Sequence, residues 1–373
     1  MVMDRILITG ASGFIGSHMV DEALARGYEV WAGVRKSSSR RYLKDPRIHI
    51  IELDLSDEVR LTEQLKPFAL AADNVREATC SGSQGTPPRG CGEGTYVVHT
   101  AALTKARNEK EFYDVNTEGT KHLVNALQKA GVKVERFVFI SSLSVFGPVR
   151  EQQPYSDILP TDTPCPNTAY GKSKLLAEQY LFKWRMENGK WKMENGKWKM
   201  ENGGWKMEST ILRLTGVYGP REKDYMMLVD SIRKRIDIAA GYSRQDLTFV
   251  YVKDVVNAVF LSMKSAKTAG KAYFLTDGKT YTSRDFSDLV MAEFGIRHIL
   301  RLTLPLWVLR VACEVSGVWG RLTGKMTTLN HDHYNILKQR NWRCDISAAQ
   351  RDFGYSPQYD LHRGVHEMLN SEL

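Results

Sequence analysis

The feature that most restricts the fold is a glycine cluster, Thr9-Gly10-Ala11-Ser12-Gly13-Phe14-Ile15-Gly16, set between a short apolar run at 5–9 and a helical period at 15–26. Gly10 and Gly13 let the backbone turn tightly and approach a pyrophosphate, and Gly16 lets the helix pack closely against the strand. The first N–H groups of that helix, around Ser12, Phe14 and Ile15, then face the phosphates. Glycines in this number are common in turns. Between a strand and a helix of one βαβ unit they point to a dinucleotide.

The same rhythm continues along the chain. Apolar runs at 29–34, 48–53, 96–100, 137–141 and 210–214 read as strands, and periods at 117–129 and 172–184 read as helices. Alternation of this kind predicts an α/β fold, a Rossmann-type doubly wound parallel sheet of about six or seven strands. We expect residues 1–214 to form the nucleotide-binding domain, with 247–263 returning to it, and 215–373 to form a smaller α+β substrate-binding domain. Two segments interrupt the pattern. Residues 71–94, rich in Gly, Ser, Pro and Thr, read as a surface insertion; Cys80 and Cys91 lie in it without the second ligand pair that a zinc site needs. Residues 186–208 read MENGKWK, MENGKWK, MENGGWK, ME, a tandem repeat whose Gly and Asn make a poor helix seam. The nucleotides ATGGAAA, repeated three times, encode MENGKWK, so strand slippage in the gene accounts for it. Trp191, Trp198 and Trp205 belong to the repeat and carry no expectation of a ligand cage.

Composition narrows the classes further. With 373 residues, 42% hydrophobic and 25% charged, the chain is neither disordered, nor collagenous, nor a disulfide scaffold. The net charge of +9 suits an anionic ligand but is too diffuse for nucleic acid, and no nucleic-acid motif is present. Five cysteines without metal-ligand spacing predict no metal and suit a reducing, cytoplasmic location. The apolar run at 6–8 is too short for a signal peptide. The stretch 302–322 holds Arg310 and Glu314, so no integral membrane span is expected. Its stripe of Leu306, Leu309, Val311, Val315, Val318 and Leu322 reads first as core, and otherwise as a pocket wall or membrane-surface contact.

After the second predicted strand stands Val34-Arg35-Lys36-Ser37-Ser38-Ser39, where a NAD site would place a carboxylate. Arg35 can hold a 2′-phosphate bidentately and Ser37 can add a hydrogen bond, which favours NADP(H) over NAD(H). Asp54-Leu55, after the third strand, would lie by the adenine. Tyr170 and Lys174 are four apart and so share a helix face, where an ammonium would favour phenolate and lower the tyrosine pKa. Serines at 141–144 end a strand at the sheet edge where α/β ligands bind.

Together these motifs resemble the extended short-chain dehydrogenase/reductases of the NAD-dependent epimerase/dehydratase group. The resemblance rests on TGASGFIG (9–16), HTAA (99–102), DVNTEGT (114–120), SSLSVFGP (141–148), YGKSK (170–174), RLTGVYGP (213–220), FVYVKDVV (249–256) and FGYSP (353–357). It implies Tyr170 as acid/base, Lys174 as its tuner and ribose ligand, Ser142 as the hydroxyl polarising the substrate oxygen, and Asn116 as a supporting residue. Thr100, Ala101 and Ala102 would line the cofactor, and a homodimer is compatible with it. One departure stands out: nucleotide-sugar relatives read R-x-F-N-V-Y-G-P, and here Thr215-Gly216 replaces Phe-Asn. The pattern is closer to dihydroflavonol-reductase-like and 3β-hydroxysteroid-dehydrogenase-like relatives. The expected function is hydride transfer between nicotinamide and a ketone or secondary alcohol of a small molecule. A nucleotide-sugar epimerase or dehydratase and a non-catalytic NADP(H) sensor are the alternatives.

Overall fold

The structure is a computed structural model that describes residues 3–80, 94–188, 191–194, 197–200, 207–323 and 331–372. The first half lays down β1 (Arg5–Thr9), α1 (Phe14–Ala25), β2 (Glu29–Val34), β3 (His49–Glu52), α2 (Glu58–Cys80), β4 (Thr95–His99), α3 (Glu109–Phe112), α4 (Gly119–Lys129), β5 (Arg136–Ser142) and α5 (Ala169–Asn188). An antiparallel pair follows, β6 (Trp191–Glu194) with β7 (Lys197–Met200), and then β8 (Glu208–Leu214), β9 (Gly216–Tyr218), α6 (Lys223–Arg233), β10 (Ile236–Ala240) and β11 (Phe249–Tyr251). The chain ends with α7 (Val252–Lys264), β12 (Lys271–Leu275), α8 (Asp285–Glu293), β13 (Leu300–Leu304), α9 (Leu306–Thr323), α10 (His331–Lys338), α11 (Ser347–Phe353) and α12 (Leu361–Glu372).

Seven strands make one parallel sheet in the order β12-β8-β5-β4-β1-β2-β3. The chain runs outward from β1 through β2 to β3, then resumes on the other side of β1 with β4. This reversal opens a crevice at the carboxyl ends of β1 and β4, where ligands of such sheets bind. Both faces are covered, which is why Ile6, Leu7 and Ile8 of β1 are all fully buried and the strand shows no alternation. One face packs against α1 and α7 through Met19, Val20, Val255 and Val259; the other packs against α2, α4 and α5 through Leu61, Leu123 and Leu181. A third cluster, with Tyr218, Phe249, Phe286 and Val365, joins β9 and β11 to α8 and α12.

Three expectations change. Residues 71–80, read as the start of a surface insertion, continue α2; the remainder of that segment, including Cys91, lies outside the described residues apart from Gly94. Past residue 214 the chain returns to the sheet with β12 and α11 as well as α7. The stripe on α9 is not core throughout: Leu309 and Cys313 are buried, but Trp307, Val311 and Val315 are 69%, 56% and 64% exposed. No described helix is long and apolar enough to cross a membrane.

Candidate active site

The glycine loop is shaped by contact. Gly10 sits at φ +69°, and a Cβ there would lie 2.8 Å from the Ala101 backbone; one on Gly16 would lie 2.2 Å from the Gly10 carbonyl. Only hydrogen fits at either position. Gly13 caps α1 without a side-chain bond, so Phe14, Ile15 and Gly16 begin the helix with N–H groups that have no intrahelical partner. Beside this loop lies a cleft of about 380 Å³ lined by Gly10, Ser12 and Gly13, by Arg35 and Ser38, by Asp54 and Leu55, and by Thr100, Ala101 and Ala102. Ser37 is exposed and does not line the cleft; Ser38 does. The walls fit a dinucleotide: the small residues of the glycine loop suit phosphates, and Arg35, exposed just past the end of β2, lines the same cleft. Asp54 is fixed by bonds from the Ser56 hydroxyl (2.6 Å) and Arg60 (3.2 Å), which hold its carboxyl below the usual range.

Under the cleft His99 is fully buried between the hydroxyls of Thr9 (2.7 Å) and Thr120 (3.0 Å), joining β1, β4 and α4. Burial, with the Lys174 charge adding to it, pushes its pKa down to about 3, so the ring is neutral. Asn116 occupies a π-helical turn, Tyr113–Glu118. Its amide pairs with both backbone groups of Leu103 (2.8 and 3.0 Å) and donates to Ser173 (3.0 Å), tying the loop that lines the cleft to α5 beside Lys174. Asn116 is itself buried, with all of these bonds going to the protein.

Ser142 ends β5, and Tyr170 and Lys174 project from the first turns of α5. Ser142 acts on the Tyr170 hydroxyl, lowering its pKa, while its own Oγ donates to Ser144 Oγ and accepts from the Ser144 N–H, both at 3.1 Å. The structure differs from the sequence reading in how the phenol is tuned. Burial pushes Tyr170 up to about 12, Ser142 offsets part of that, and Lys174 has no share in it. The ammonium is 2% exposed, donates to the Ile140 carbonyl at 2.7 Å and lies 4.5 Å over the Phe139 ring. Burial lowers its pKa to about 7, opposed by Glu178 one turn further along α5.

Sequence reasoning missed three features. Glu178 is buried, accepts from Ser141 and receives Arg213 from β8 through bonds of 2.6–3.2 Å; its spacing four residues past Lys174 was the available signal. Asp332 on α10 accepts from the N–H groups of Ala169 (2.9 Å) and Tyr170 (3.3 Å), capping the helix that carries the tyrosine. Nothing local announces a partner 162 residues away. Third, Lys105 beyond the cleft pairs with Asp224 of α6 at 2.6 Å, bringing the second half of the chain against the site.

Comparison with known proteins shows the lineage. Residues 7–306 match the 3-beta hydroxysteroid dehydrogenase/isomerase family. The chain belongs to this family. As a member of the 3-beta hydroxysteroid dehydrogenase/isomerase family and of the extended short-chain dehydrogenase/reductases, it is an NAD(P)-dependent oxidoreductase. Among its relatives is the decarboxylating sterol-4-alpha-carboxylate 3-dehydrogenase of Dictyostelium discoideum, 24% identical, covering 98% of this chain and 100% of that protein. Another is the UDP-glucose 4-epimerase of Vibrio cholerae, 26% identical, covering 99% and 95%. The Bordetella bronchiseptica enzyme WbmG, solved in complex with NAD, shares the fold with a TM-score of 0.69 at 18% identity, covering 99% and 93%.

Proposed function

We propose that this family member is a dehydrogenase of a lipophilic, sterol-like small molecule, interconverting a secondary alcohol and a ketone with Tyr170 handling the proton. The observation that carries the reading is the placement of Ser142 at the carboxyl end of β5 beside Tyr170 and Lys174 of α5, with the Lys174 ammonium bonded to Ile140 of the same strand at 2.7 Å. When bound, the dinucleotide supplies the hydride donor or acceptor. Gly10, Gly13 and the N-terminus of α1 would hold its phosphates, and Lys174 would meet its ribose. Ser142 holds the substrate oxygen by hydrogen bonding. Tyr170, protonated across the physiological range, gives its proton to that oxygen during reduction and takes it back during oxidation. Lys174, between Glu178 and the Ile140 carbonyl, supplies the nearest titratable cation as the proton leaves.

The substrate class is supported by the sterol-acting relative and by Gly216, which has no side chain to bond a sugar nucleotide. Arg35 lines the cleft where no carboxylate ends β2, and this supports NADP(H) over NAD(H). Cys165, Cys313 and Cys344 are unpaired, in keeping with a reducing cytoplasmic setting.

Following nicotinamide absorbance with 3β-hydroxysteroids, simple ketones and UDP-glucose tests the reading. Net cofactor reduction or oxidation with a steroid is expected; sugar epimerisation without net cofactor change would replace it. Tyr170→Phe should lower kcat by about 10²- to 10⁴-fold while leaving cofactor affinity intact. Arg35→Ala should weaken NADPH binding by about tenfold or more and leave NADH nearly unchanged, since only the 2′-phosphate loses a charge-assisted bond. Equal losses for both cofactors would refute the NADP(H) preference.

A further inference from the structure

Gly216 is crowded where its sequence suggests a gap. A Cβ there would lie 2.5 Å from the Tyr225 hydroxyl and 3.2 Å from Phe249 Cδ1. The place that a larger side chain would take is occupied by a phenol reaching over from α6.

The phenol is firmly seated. Glu222 caps α6 and accepts from the Tyr225 N–H at 2.6 Å, and the ring lies 5.2 Å from Phe286 and 6.1 Å from both Tyr218 and Phe249, centroid to centroid. The hydroxyl, by contrast, has no hydrogen-bond partner among the described residues, although desolvation and the carboxylates of Glu222 and Asp224 keep it a neutral donor. Two links join this position to the site. Gly216 follows by two residues Leu214, the register partner of Ser142, and Asp224, next to Tyr225, is tied through Lys105 to the loop lining the cofactor cleft.

We propose that Tyr225 is a specificity-determining residue whose hydroxyl, seated over Gly216, donates a hydrogen bond to a neutral carbonyl or hydroxyl oxygen of the substrate other than the one held by Ser142 and Tyr170. The inference rests on the dehydrogenase reading above. The bordering carboxylates disfavour an anionic oxygen there, and a donor left unpaired by an analogue without that oxygen rejects the analogue.

Because the hydroxyl bonds nothing in the protein, Tyr225→Phe should leave Tm and NADPH affinity unchanged. It is expected to raise KM about tenfold for dehydroepiandrosterone, which carries a 17-ketone, with little change in kcat, and to leave KM for the 17-deoxy counterpart unaltered. Gly216→Ala, whose methyl displaces the hydroxyl, should reproduce the loss, and the double variant should be no worse than either single change. Unchanged KM in Tyr225→Phe, on a compound with a second oxygen that the wild type turns over, overturns the inference. Turnover of UDP-glucose but of no steroid overturns the proposed function instead, and the same comparison on UDP-glucose still decides the role of Tyr225. A wild-type protein inert toward every compound overturns both.

Discussion

Tyr170, Lys174 and His99 share one circumstance: packing takes His99 and Lys174 out of water and Tyr170 partly so, and in each the neutral form gains. For His99 this makes acid stability measurable. The folded ring stays neutral down to about pH 3, whereas in the unfolded chain it protonates near 6.5, so below 6.5 the unfolded state binds the extra proton. Its contribution is therefore complete above pH 6.5 and is lost as pH falls toward 3, by roughly 1.4 kcal/mol per pH unit. Thermal melts from pH 7 to 4.5 should show Tm falling less steeply in His99→Gln than in the wild type; parallel slopes would count against a neutral buried ring. At this scale the sequence disclosed residue types at their spacing, such as Tyr170 with Lys174. It did not disclose orientation, because the Ile140 carbonyl that holds the ammonium comes from a strand 34 residues away.

Among the elements, α5 shows how the two halves of the chain depend on each other. Thr168 accepts from Gly171, but the N–H groups of Ala169 and Tyr170 are satisfied by Asp332, and Asn335 of the same α10 donates to the Asn167 carbonyl at 2.9 Å. An anion at a helix start meets both the open donors and the macrodipole. Asp332→Ala should cost about 1 kcal/mol in stability and lower kcat without changing cofactor affinity. Asp332→Asn, which keeps an acceptor oxygen, should recover most of kcat. Melting curves and steady-state rates on the three proteins check this, and equal kcat in Asp332→Ala and wild type would deny the cap any part in placing the tyrosine. The start of α1 was legible because Gly13 stands beside the first helical residue. The reach of α2 past residue 70 was not, because the Gly/Ser-rich composition begins only at Cys80 while Ala, Arg and Glu before it favour a helix. On α9 the apolar spacing was visible, but which positions meet the core depends on α10 and the sheet edge, which spacing alone does not record.

For the molecule as a whole, the parallel sheet and its approximate strand number were legible in the strand–helix rhythm, since parallel strands need crossover helices. The place of the repeat depends on tertiary proximity. Arg185 near the end of α5 donates to Glu208 at the start of β8 at 2.8 Å, so the chain leaves for the repeat and comes back at nearly one point. An excursion closed in this way adds little loop entropy as it lengthens. Excising 193–206 should leave Tm within about 2 °C of the wild type and steroid kinetics unaltered, as read by calorimetry and initial rates; a large destabilisation would mean that the repeat packs on the body.

The paired strands β6 and β7 have a consequence of their own. Trp191 is the register partner of Met200 and Glu194 that of Lys197, and the intervening sequence is Asn195-Gly196. Asn-Gly recurs at 188–189 and 202–203, always seven residues on. Sliding the ribbon by one copy would therefore restore nearly the same cross-strand neighbours, so this stretch of the protein carries interchangeable folding addresses.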